Sequence, residues 1–402
     1  MKKLSERHAR LLLKRAQSGS LQANRKQKKK FKQVASFQTI EIWDGKSVEE
    51  AVFYGKPRLP PEIICFDENT DPTLQFLDDL RTSVVSKKDA KKKKSDWVDR
   101  RGRGLPKLKS YYDFSHIDTF STGPALVIGA LYERAKDAVG KVPPAIDFPN
   151  WSPQAFQTLY EIGFFEIIGH APAEKIREVY VEKKDALYKV SKILTGTNAD
   201  GLEDASNVIL ELLDYLSLNP DVAGELITDI NSAVSEAMIN VARHAYPEQF
   251  IEMSPNVCLR QWWMSAKANK CDNTLTIAIY DQGATIPGTL PRREWFYETV
   301  GAAMSALVPN YERGRESGTI DHEFINYSMK KGKTQTKDAR RGLGLPQMQG
   351  LIDICPDGTL SILSRRGLYK YGKNVGVFKR SLDCGLEGTL VEWELTLPRE
   401  RI

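Results

Sequence analysis

The chain has 402 residues, enough for two or three domains with their own cores, and its 41% hydrophobic and 27% charged residues are typical of a soluble globular protein. No apolar run approaches the roughly 20 residues that a membrane-spanning helix requires, and the five cysteines form no CxxC pair at zinc-ligand spacing. The sequence therefore predicts a modestly basic cytoplasmic protein, of net charge +6, with neither a membrane segment nor a zinc site.

Residues 1–60 are predicted to form a basic N-terminal arm and a short α/β lead-in, in which a turn at Asp44 and Gly45 separates a strand from a helix. Lysine and arginine concentrate in this arm, at residues 25–32, and again at residues 86–109. Such runs are typical of solvated tails and linkers. Contact with nucleic acid is the alternative that stays open, because clustered cations release counterions from phosphates.

Strands alternate with helices over residues 61–172, which predicts an α/β domain with the lysine-rich residues 86–109 as an exposed insertion. The predicted strands lie at 62–66, 110–120 and 142–149, and the predicted helices at 71–81, 121–139 and 152–169. Ser121 or Thr122 is the expected cap of the second helix, and Ser152 followed by Pro153 opens the third.

The strand DFSHIDTF, the turn STG at residues 121–123 and the helix after it resemble the STAS domain of the anti-anti-sigma factors. In that family an Asp precedes the turn and a Ser within the turn accepts phosphate. Here Phe120 stands at the Asp position and Thr122 matches the acceptor. This departure favours helix capping by Ser121 and Thr122 over a phosphorylation switch.

After a linker at residues 173–200, the second domain is predicted over residues 201–398. Its pattern is helix, helix, strand, strand, a long segment over 288–340, a helix and final strands. This order predicts an α+β two-layer sandwich, with helices on one face of a mixed sheet.

The first motif of this domain is ITDINSAVSEAMINVARHAY, which places Glu236, Asn240 and His244 four residues apart. On an α-helix, positions i, i+4 and i+8 fall along one line. This line flanks the apolar stripe of the same helix, where polar groups can line the lip of a pocket. A solvated helix face is the alternative interpretation.

The second motif is TLTIAIYDQGATIP, a β-rich run that ends on Asp281 and is followed by Gly283. A carboxylate at a strand end can accept a hydrogen bond from the amino group of adenine. A glycine close behind lets a base approach the backbone. A strand that ends in an ordinary Asp-x-Gly turn is the alternative.

The third motif, DARRGLGLPQMQGLI, places Gly342 and Gly344 before a predicted helix, with Leu345 next. Free backbone N–H groups and the dipole of that helix can face phosphates, and Arg340 and Arg341 can pair with phosphate oxygens. A simple turn at a helix start is the alternative.

The fourth motif is GLEGTLVEWELTLP, whose strand pattern carries Gly388 and Thr389. The four motifs, in this order, resemble the GHKL ATPases, the superfamily of gyrase, the heat-shock chaperones and the histidine kinases. The spacing of Glu236, Asn240 and His244 is closest to the anti-sigma-factor serine kinases.

The resemblance implies a role for individual residues. Asn240 would help to hold Mg²⁺ and Glu236 would be the general base. Asp281 would bind adenine, supported by the hydroxyl of Thr389. The remaining residues that the resemblance places at the nucleotide are His244, Gly283, Ile286, Arg341, Gly342, Gly344 and Leu345.

One position departs from the family pattern Asp-x-Gly-x-Gly followed by Ile-Pro. Thr285 stands where the second glycine occurs, while Ile286 and Pro287 are retained. The resemblance also makes residues 288–340 the ATP lid. A segment this long in a compact domain is generally functional or disordered, and the lid lysines suit closure over phosphates, although solvation alone would also explain them. These lysines are Lys330, Lys331, Lys333 and Lys337.

The function implied is that of a cytoplasmic regulatory protein that binds ATP with Mg²⁺ and either hydrolyses it or transfers its phosphate to a protein Ser or Thr. One alternative is an ATP-gated interaction switch without turnover, and another is a nucleic-acid-associated ATP-binding factor. Stress signalling and phage defence both suit such an architecture. The protein partner and a homodimer are left open.

Overall fold

The computed structural model describes residues 37–45, 47–84, 97–100, 104–140, 143–167, 169, 187–253, 259–292, 305, 311–330 and 344–398. The basic arm at 1–36 and most of the lysine-rich insertion lie outside these residues. Arg340, Arg341, Gly342 and three of the lid lysines (Lys331, Lys333 and Lys337) also lie outside them.

The N-terminal module contains two small sheets and four helices among the described residues. Its strands and helices in chain order are β1 (Phe37–Trp43), β2 (Val48–Tyr54), β3 (Ile63–Ile64), α1 (Thr70–Val84), β4 (Val98–Asp99), β5 (Lys107–Leu108), β6 (Thr119–Phe120), α2 (Thr122–Val139), β7 (Ala145–Ile146), α3 (Pro153–Glu161) and α4 (Phe164–Ile167). One sheet has the order β4-β5-β2-β1-β7, and β3 pairs in parallel with β6. The first two predicted helices are confirmed, whereas the third, predicted over 152–169, is divided into α3 and α4. The resemblance to a STAS domain stays a prediction.

The lead-in is a β-hairpin, so the helix predicted after the turn is wrong. Strand β2 pairs with β1 along its whole length in antiparallel register. The carboxylate of Asp44 accepts a hydrogen bond from the N–H of Ser47 (2.9 Å) and closes the turn. Cross-strand hydrogen bonds and the burial of Ala51 and Phe53 outweigh the helix propensity of the two glutamates that precede Ala51.

The strand predicted over residues 110–120 is also largely wrong, because only its last two residues form β6. Before them, Phe114–His116 form a 3₁₀ turn, and the Asp113 carboxylate accepts from the N–H of Ser115 (2.9 Å). An Asp side chain that bonds its own backbone in this way competes with strand pairing. Ser121 occupies the predicted N-cap position of α2, but its hydroxyl forms no capping hydrogen bond.

The second module is built on one six-stranded sheet. Its elements are β8 (Tyr188–Val190), β9 (Leu194–Gly196), α5 (Leu202–Tyr215), α6 (Pro220–Asn240), α7 (Glu248–Met253), β10 (Trp262–Asn269), β11 (Thr274–Asp281), α8 (Ile286–Thr289), α9 (Tyr311–Ser317), α10 (Asp321–Ser328), α11 (Gly344–Ile354), β12 (Asp357–Gly372) and β13 (Gly376–Thr396). The strand order is β12-β13-β11-β10-β8, and β9 also pairs with β10. Among the described residues, no helix is long and apolar enough to cross a membrane.

The pairings of this sheet are all antiparallel among the described strands, whereas the sequence predicted a mixed sheet. Short connections explain the difference, because β10–β11 and β12–β13 are both hairpins, and a hairpin can join only antiparallel strands. Strands β8 and β9 lie in the segment that was predicted as the linker.

The sheet is covered on both faces. On β11, Ile277 and Ile279 pack with α5, α6 and α11, while Ala278 and Tyr280 belong to a core shared with helices α1 and α2 of the N-terminal module. The molecule therefore has a helical layer on each side of the sheet, where the sequence predicted helices on one side only.

Polar contacts add to the second of these interfaces. The Glu387 carboxylate on β13 forms ion pairs with Arg81 on α1 (3.0 Å) and Arg134 on α2 (2.7 Å). On β10, the indole N–H of Trp263 donates to the Glu133 carboxylate on α2 (2.6 Å). Helix α2 thus contacts two strands of the sheet through neighbouring side chains.

Candidate functional site

Asp281 is the last residue of β11, and its carboxyl group is buried. Its Oδ1 accepts a hydrogen bond from the N–H of Gly283 (2.7 Å), and the carboxylate accepts a second from the backbone N–H of Thr389. Burial raises the pKa of Asp281 to about 7, although both donors oppose the shift. A buried carboxyl with fixed donors on one side can accept a further hydrogen bond from a ligand.

Thr389 lies opposite Asp281 in the β11–β13 ladder. The resemblance gave the support of Asp281 to the hydroxyl of Thr389, whereas in the structure its backbone N–H makes that contact and its Oγ1 lies 2.8 Å from Oγ of Ser364. Ser364 in turn accepts from the N–H of Ile286 (2.9 Å). The two hydroxyls therefore connect the strand pair to the start of α8.

Ser364 was missed because nothing in its sequence context marks it. It becomes a neighbour of the site only through the register of β12 on β13, which pairs Ser364 with Thr389. Register depends on long-range packing and turn geometry, so a single sequence does not give it.

Two glycines are required by close backbone contacts. A Cβ at Gly388, whose φ is +85°, would lie 1.8 Å from the carbonyl oxygen of Asp281. A Cβ at Gly283 would lie 2.3 Å from the carbonyl oxygen of Ala245. Gly283 therefore allows its turn to pack against the chain after α6. The sequence predicted instead that this glycine lets a nucleotide base approach the backbone.

Thr285 has φ +69° and ψ 156°, a conformation that glycine adopts easily and other residues rarely do. This is the position at which the family pattern has its second glycine. The Thr285 hydroxyl accepts from the N–H of Gly288 (3.1 Å) and caps α8. The local backbone thus keeps a glycine-like shape with a threonine side chain.

Helix α6 carries Glu236 and Asn240, as the periodicity predicts, but the α-helix ends at Asn240. Val241–Ala245 form a π-helical turn, which holds His244. A π-turn has more residues per turn than an α-helix, so His244 does not continue the predicted straight line. Such turns occur often at functional sites.

Glu236 is half-buried, and desolvation raises the pKa of its carboxyl group, while Arg243 and Asn240 oppose the shift. A carboxyl group whose pKa is raised towards neutrality is suited to general base catalysis. The amide of Asn240 lies close enough to Glu236 to lower the pKa of that carboxyl group, and its buried Nδ2 has no other hydrogen-bond partner within the described residues.

The amide of Asn240 is suited to bind a metal ion. The oxygen and nitrogen of an amide are interchangeable by a flip, so Asn240 can turn its oxygen towards a hard cation. Mg²⁺ takes few protein ligands and keeps most of its coordination for water and phosphate. Among the described residues, no three His, Cys, Asp or Glu side chains cluster as a metal site of their own.

The turn after Asp281 is joined to the chain that follows α6. The N–H of Ala284 donates to the carbonyl of Ala245 (2.7 Å), and the N–H of Gln282 donates to the hydroxyl of Tyr246 (3.1 Å). That hydroxyl donates to the Gln261 carbonyl (2.8 Å). Tyr246 ends the first motif and was not singled out in the sequence. The structure thus brings the first, second and fourth motifs together.

Helix α11 begins at Gly344, so this glycine is its first residue and does not precede it. The helix packs against α6, in the core between the sheet and helices α5, α6 and α11. Arg341 and Gly342 lie outside the described residues, as does the side chain of Leu345.

The described part of the predicted lid contains the end of α8 and the two helices α9 and α10. Helix α10 packs on β12, and its buried Asp321 forms a bidentate ion pair with Arg365. Lys330 is exposed at the end of this region. Residues 311–330 therefore form folded structure on the sheet, where the sequence predicted a continuous lid.

Comparison with known families places these motifs in context. Residues 200–359 match the family model of the histidine kinase-like ATPase domain. This match supports a GHKL-type ATPase domain and includes Glu236, Asn240 and Asp281, whereas Thr389 lies beyond it. No curated protein matches the chain.

Proposed function

We propose that the second module binds ATP with Mg²⁺ and transfers its terminal phosphate to water or to a protein hydroxyl. The observation that carries the proposal is the buried carboxyl of Asp281, held by two backbone donors at a strand end inside the matched ATPase segment. The geometry there suits a nucleotide base that presents an amino group.

Adenine meets this requirement. Its exocyclic amino group donates a hydrogen bond, and Asp281 has acceptor capacity left after its bonds with Gly283 and Thr389. The donor would favour the ionised carboxylate and lower its raised pKa. Guanine presents a carbonyl oxygen at the corresponding position, so the carboxylate would repel it.

Asn240 and the start of α11 are the groups proposed for the phosphates. Asn240 supplies an amide oxygen for Mg²⁺, which when bound neutralises phosphate charge and orients the triphosphate. The helix beginning at Gly344 presents unpaired backbone N–H groups and the positive end of its dipole.

Glu236 is the proposed general base, one turn before Asn240 on α6. It would take the proton of the attacking water or hydroxyl as the oxygen–phosphorus bond forms and ADP leaves. Its raised pKa suits this transfer. The closeness to the anti-sigma kinases leaves protein Ser or Thr as the candidate acceptor besides water.

A nucleotide-gated switch is the second candidate function. Glu387 forms ion pairs with helices α1 and α2 of the N-terminal module. It lies two residues before Thr389, which contacts Asp281. A shift at the nucleotide site therefore has a short route to the N-terminal module. The basic runs proposed to contact nucleic acid lie mostly outside the described residues, and that function stays a prediction.

Titration calorimetry with ATP and GTP tests the proposal. We expect ATP to bind in the presence of Mg²⁺ and GTP to bind at least about tenfold more weakly, because guanine has a carbonyl oxygen where adenine has its amino donor. Radiolabelled ATP then separates free phosphate from phosphoprotein. Equal affinity for the two nucleotides would contradict the role of Asp281.

A further inference from the structure

A cavity of about 220 Å³ lies in the N-terminal module, away from Asp281. Six aromatic residues line it, namely Trp97, Tyr111, Tyr112, Phe114, Tyr132 and Trp151. An apolar cavity of roughly 150 Å³ is large enough to hold benzene. This cavity therefore has room for a molecule of one or two rings.

The polar groups of the lining rings either donate hydrogen bonds to the backbone or stay uncharged. The indole N–H groups of Trp97 and Trp151 donate to the backbone carbonyls of Val84 (3.1 Å) and Ile146 (2.9 Å). Burial raises the pKa of Tyr111 to about 12 and raises that of Tyr132 further, so both hydroxyls stay protonated. The cavity thus offers aromatic ring surface together with polar surface.

The charge of the lining also restricts the ligand. The lining residues that the structure describes include Lys109 and no Asp or Glu. A cationic ligand would face the Lys109 ammonium group and would lose its hydration without a carboxylate to replace it, which is costly. The charge of the lining therefore disfavours a cation.

The cavity is partly open to solvent, so a ligand can enter it from the surface. The rings around it are held against each other, as in Phe114 and Trp151, whose centroids lie 5.1 Å apart. The rings therefore frame a fixed space.

We propose that this cavity is a binding site for a planar aromatic molecule of one or two rings that carries no positive charge. Planar rings stack on aromatic side chains, and small-molecule sites are mostly apolar and preformed. The N-terminal module then acts as a sensor of a small aromatic compound.

The site has a direct structural connection to the second module. Tyr132 lines the cavity on α2, and the next two residues, Glu133 and Arg134, contact Trp263 and Glu387 on the sheet. A ligand that shifts α2 would also act on these contacts. This consequence for nucleotide affinity rests on the proposed function, whereas the ligand site does not.

Titration of the full chain with indole, without nucleotide, tests the site. We expect a dissociation constant of roughly 0.01–1 mM, within the range for so small a ligand. Ser83 lines the cavity and its neighbour Thr82 does not. Ser83→Phe should fill the space and weaken indole binding at least about tenfold, while the matched control Thr82→Phe, on an exposed position, should leave it unchanged.

Circular dichroism checks that Ser83→Phe is folded, and Ser83→Leu replaces it if it is not. Absence of indole binding by the wild type, equal effects of the two Phe variants, or equal binding of non-planar cyclohexanol would overturn the ligand site. ATP titration with and without saturating indole then measures the coupling, which unchanged ATP affinity would refute. If ATP does not bind at all, the proposed function fails while the indole result still decides the ligand site.

Discussion

The backbone N–H of Thr389 donates a hydrogen bond to the buried carboxylate of Asp281, and the two residues lie directly opposite each other on β13 and β11. The contact orients a carboxylate at the end of a strand, where one oxygen also binds the N–H of Gly283. Because the support comes from the backbone, substitutions of the Thr389 side chain should affect the carboxylate less than substitutions of the neighbouring glycine.

Asp281→Asn should abolish detectable ATP binding. The amide can present its own donor to the adenine amino group, and loss of such a buried partner typically costs about 2 kcal/mol or more. Titration calorimetry measures the change, with Asp272→Asn, an exposed aspartate before β11, as the control. Unchanged ATP affinity in Asp281→Asn would place the adenine site elsewhere.

Gly388→Ala should disrupt the site far more than Gly376→Ala. Both glycines have positive φ, +85° and +76°, so the conformational strain of alanine is similar. Only at Gly388 does the added Cβ meet another group, the carbonyl oxygen of Asp281, because Gly376 has open space around it. We expect about 1 kcal/mol of destabilisation at Gly376 and more than about 3 kcal/mol at Gly388.

Denaturant unfolding monitored by circular dichroism measures this difference, and calorimetry with ATP shows whether the site is lost. Equal destabilisation by the two alanines would mean that the crowding at Gly388 is relieved by a shift of the chain.

The stability of the nucleotide-free protein should depend on the protonation of Asp281. Its pKa is raised from 3.8 to about 7 by burial, so between these values the folded protein holds a proton that the unfolded chain releases. The contribution of Asp281 to the free energy of unfolding should therefore be fully present below about pH 4 and should be lost as the pH rises to 7. The fall attributable to Asp281 is of the order of 2–4 kcal/mol.

Asp281→Asn should flatten this part of the pH profile, because an amide does not titrate there. Glu392, whose pKa burial also raises to about 7, contributes in the same direction, so Glu392→Gln is the parallel variant. Denaturant melts at about pH 5 and pH 7 give the comparison. Identical changes in the free energy of unfolding between pH 5 and pH 7 in the wild type and both variants would contradict the raised pKa values.

The periodicity of the sequence was enough to predict α6 and β11, the two elements that carry Glu236, Asn240 and Asp281. Both elements have strong local patterns, which single sequences reveal well. The π-turn at His244 was not predictable, because its residues also suit an α-helix, and tertiary contacts with the turn after β11 accompany the change.

The packing of α1 and α2 on the sheet was also not predicted, although the sequence of β11 indicates that both faces of the strand are buried. In TLTIAIYD, apolar residues occupy both alternating sets of positions, and a strand with one solvated face would not show this. Ala278 and Tyr280 are the residues that meet the N-terminal helices. Which segment covers them depends on long-range packing, and local patterns do not carry that information.

The sharpest prediction concerns Glu236 and Asn240, which the proposal gives different tasks on one helix. Asn240→Ala should weaken Mg²⁺-dependent ATP binding, because the metal loses its protein ligand. Glu236→Ala should keep ATP binding nearly intact and lower turnover by about 10²- to 10⁴-fold, the usual contribution of a general base. Calorimetry measures binding, and release or transfer of radiolabelled phosphate measures turnover.

Ser235→Ala, a half-buried neighbour on α6, is the control and should change neither quantity. A nucleotide-gated switch would instead retain its biological function in Glu236→Ala and lose it in Asn240→Ala. Small and equal effects of both changes on binding and turnover would mean that these side chains belong to a solvated helix face.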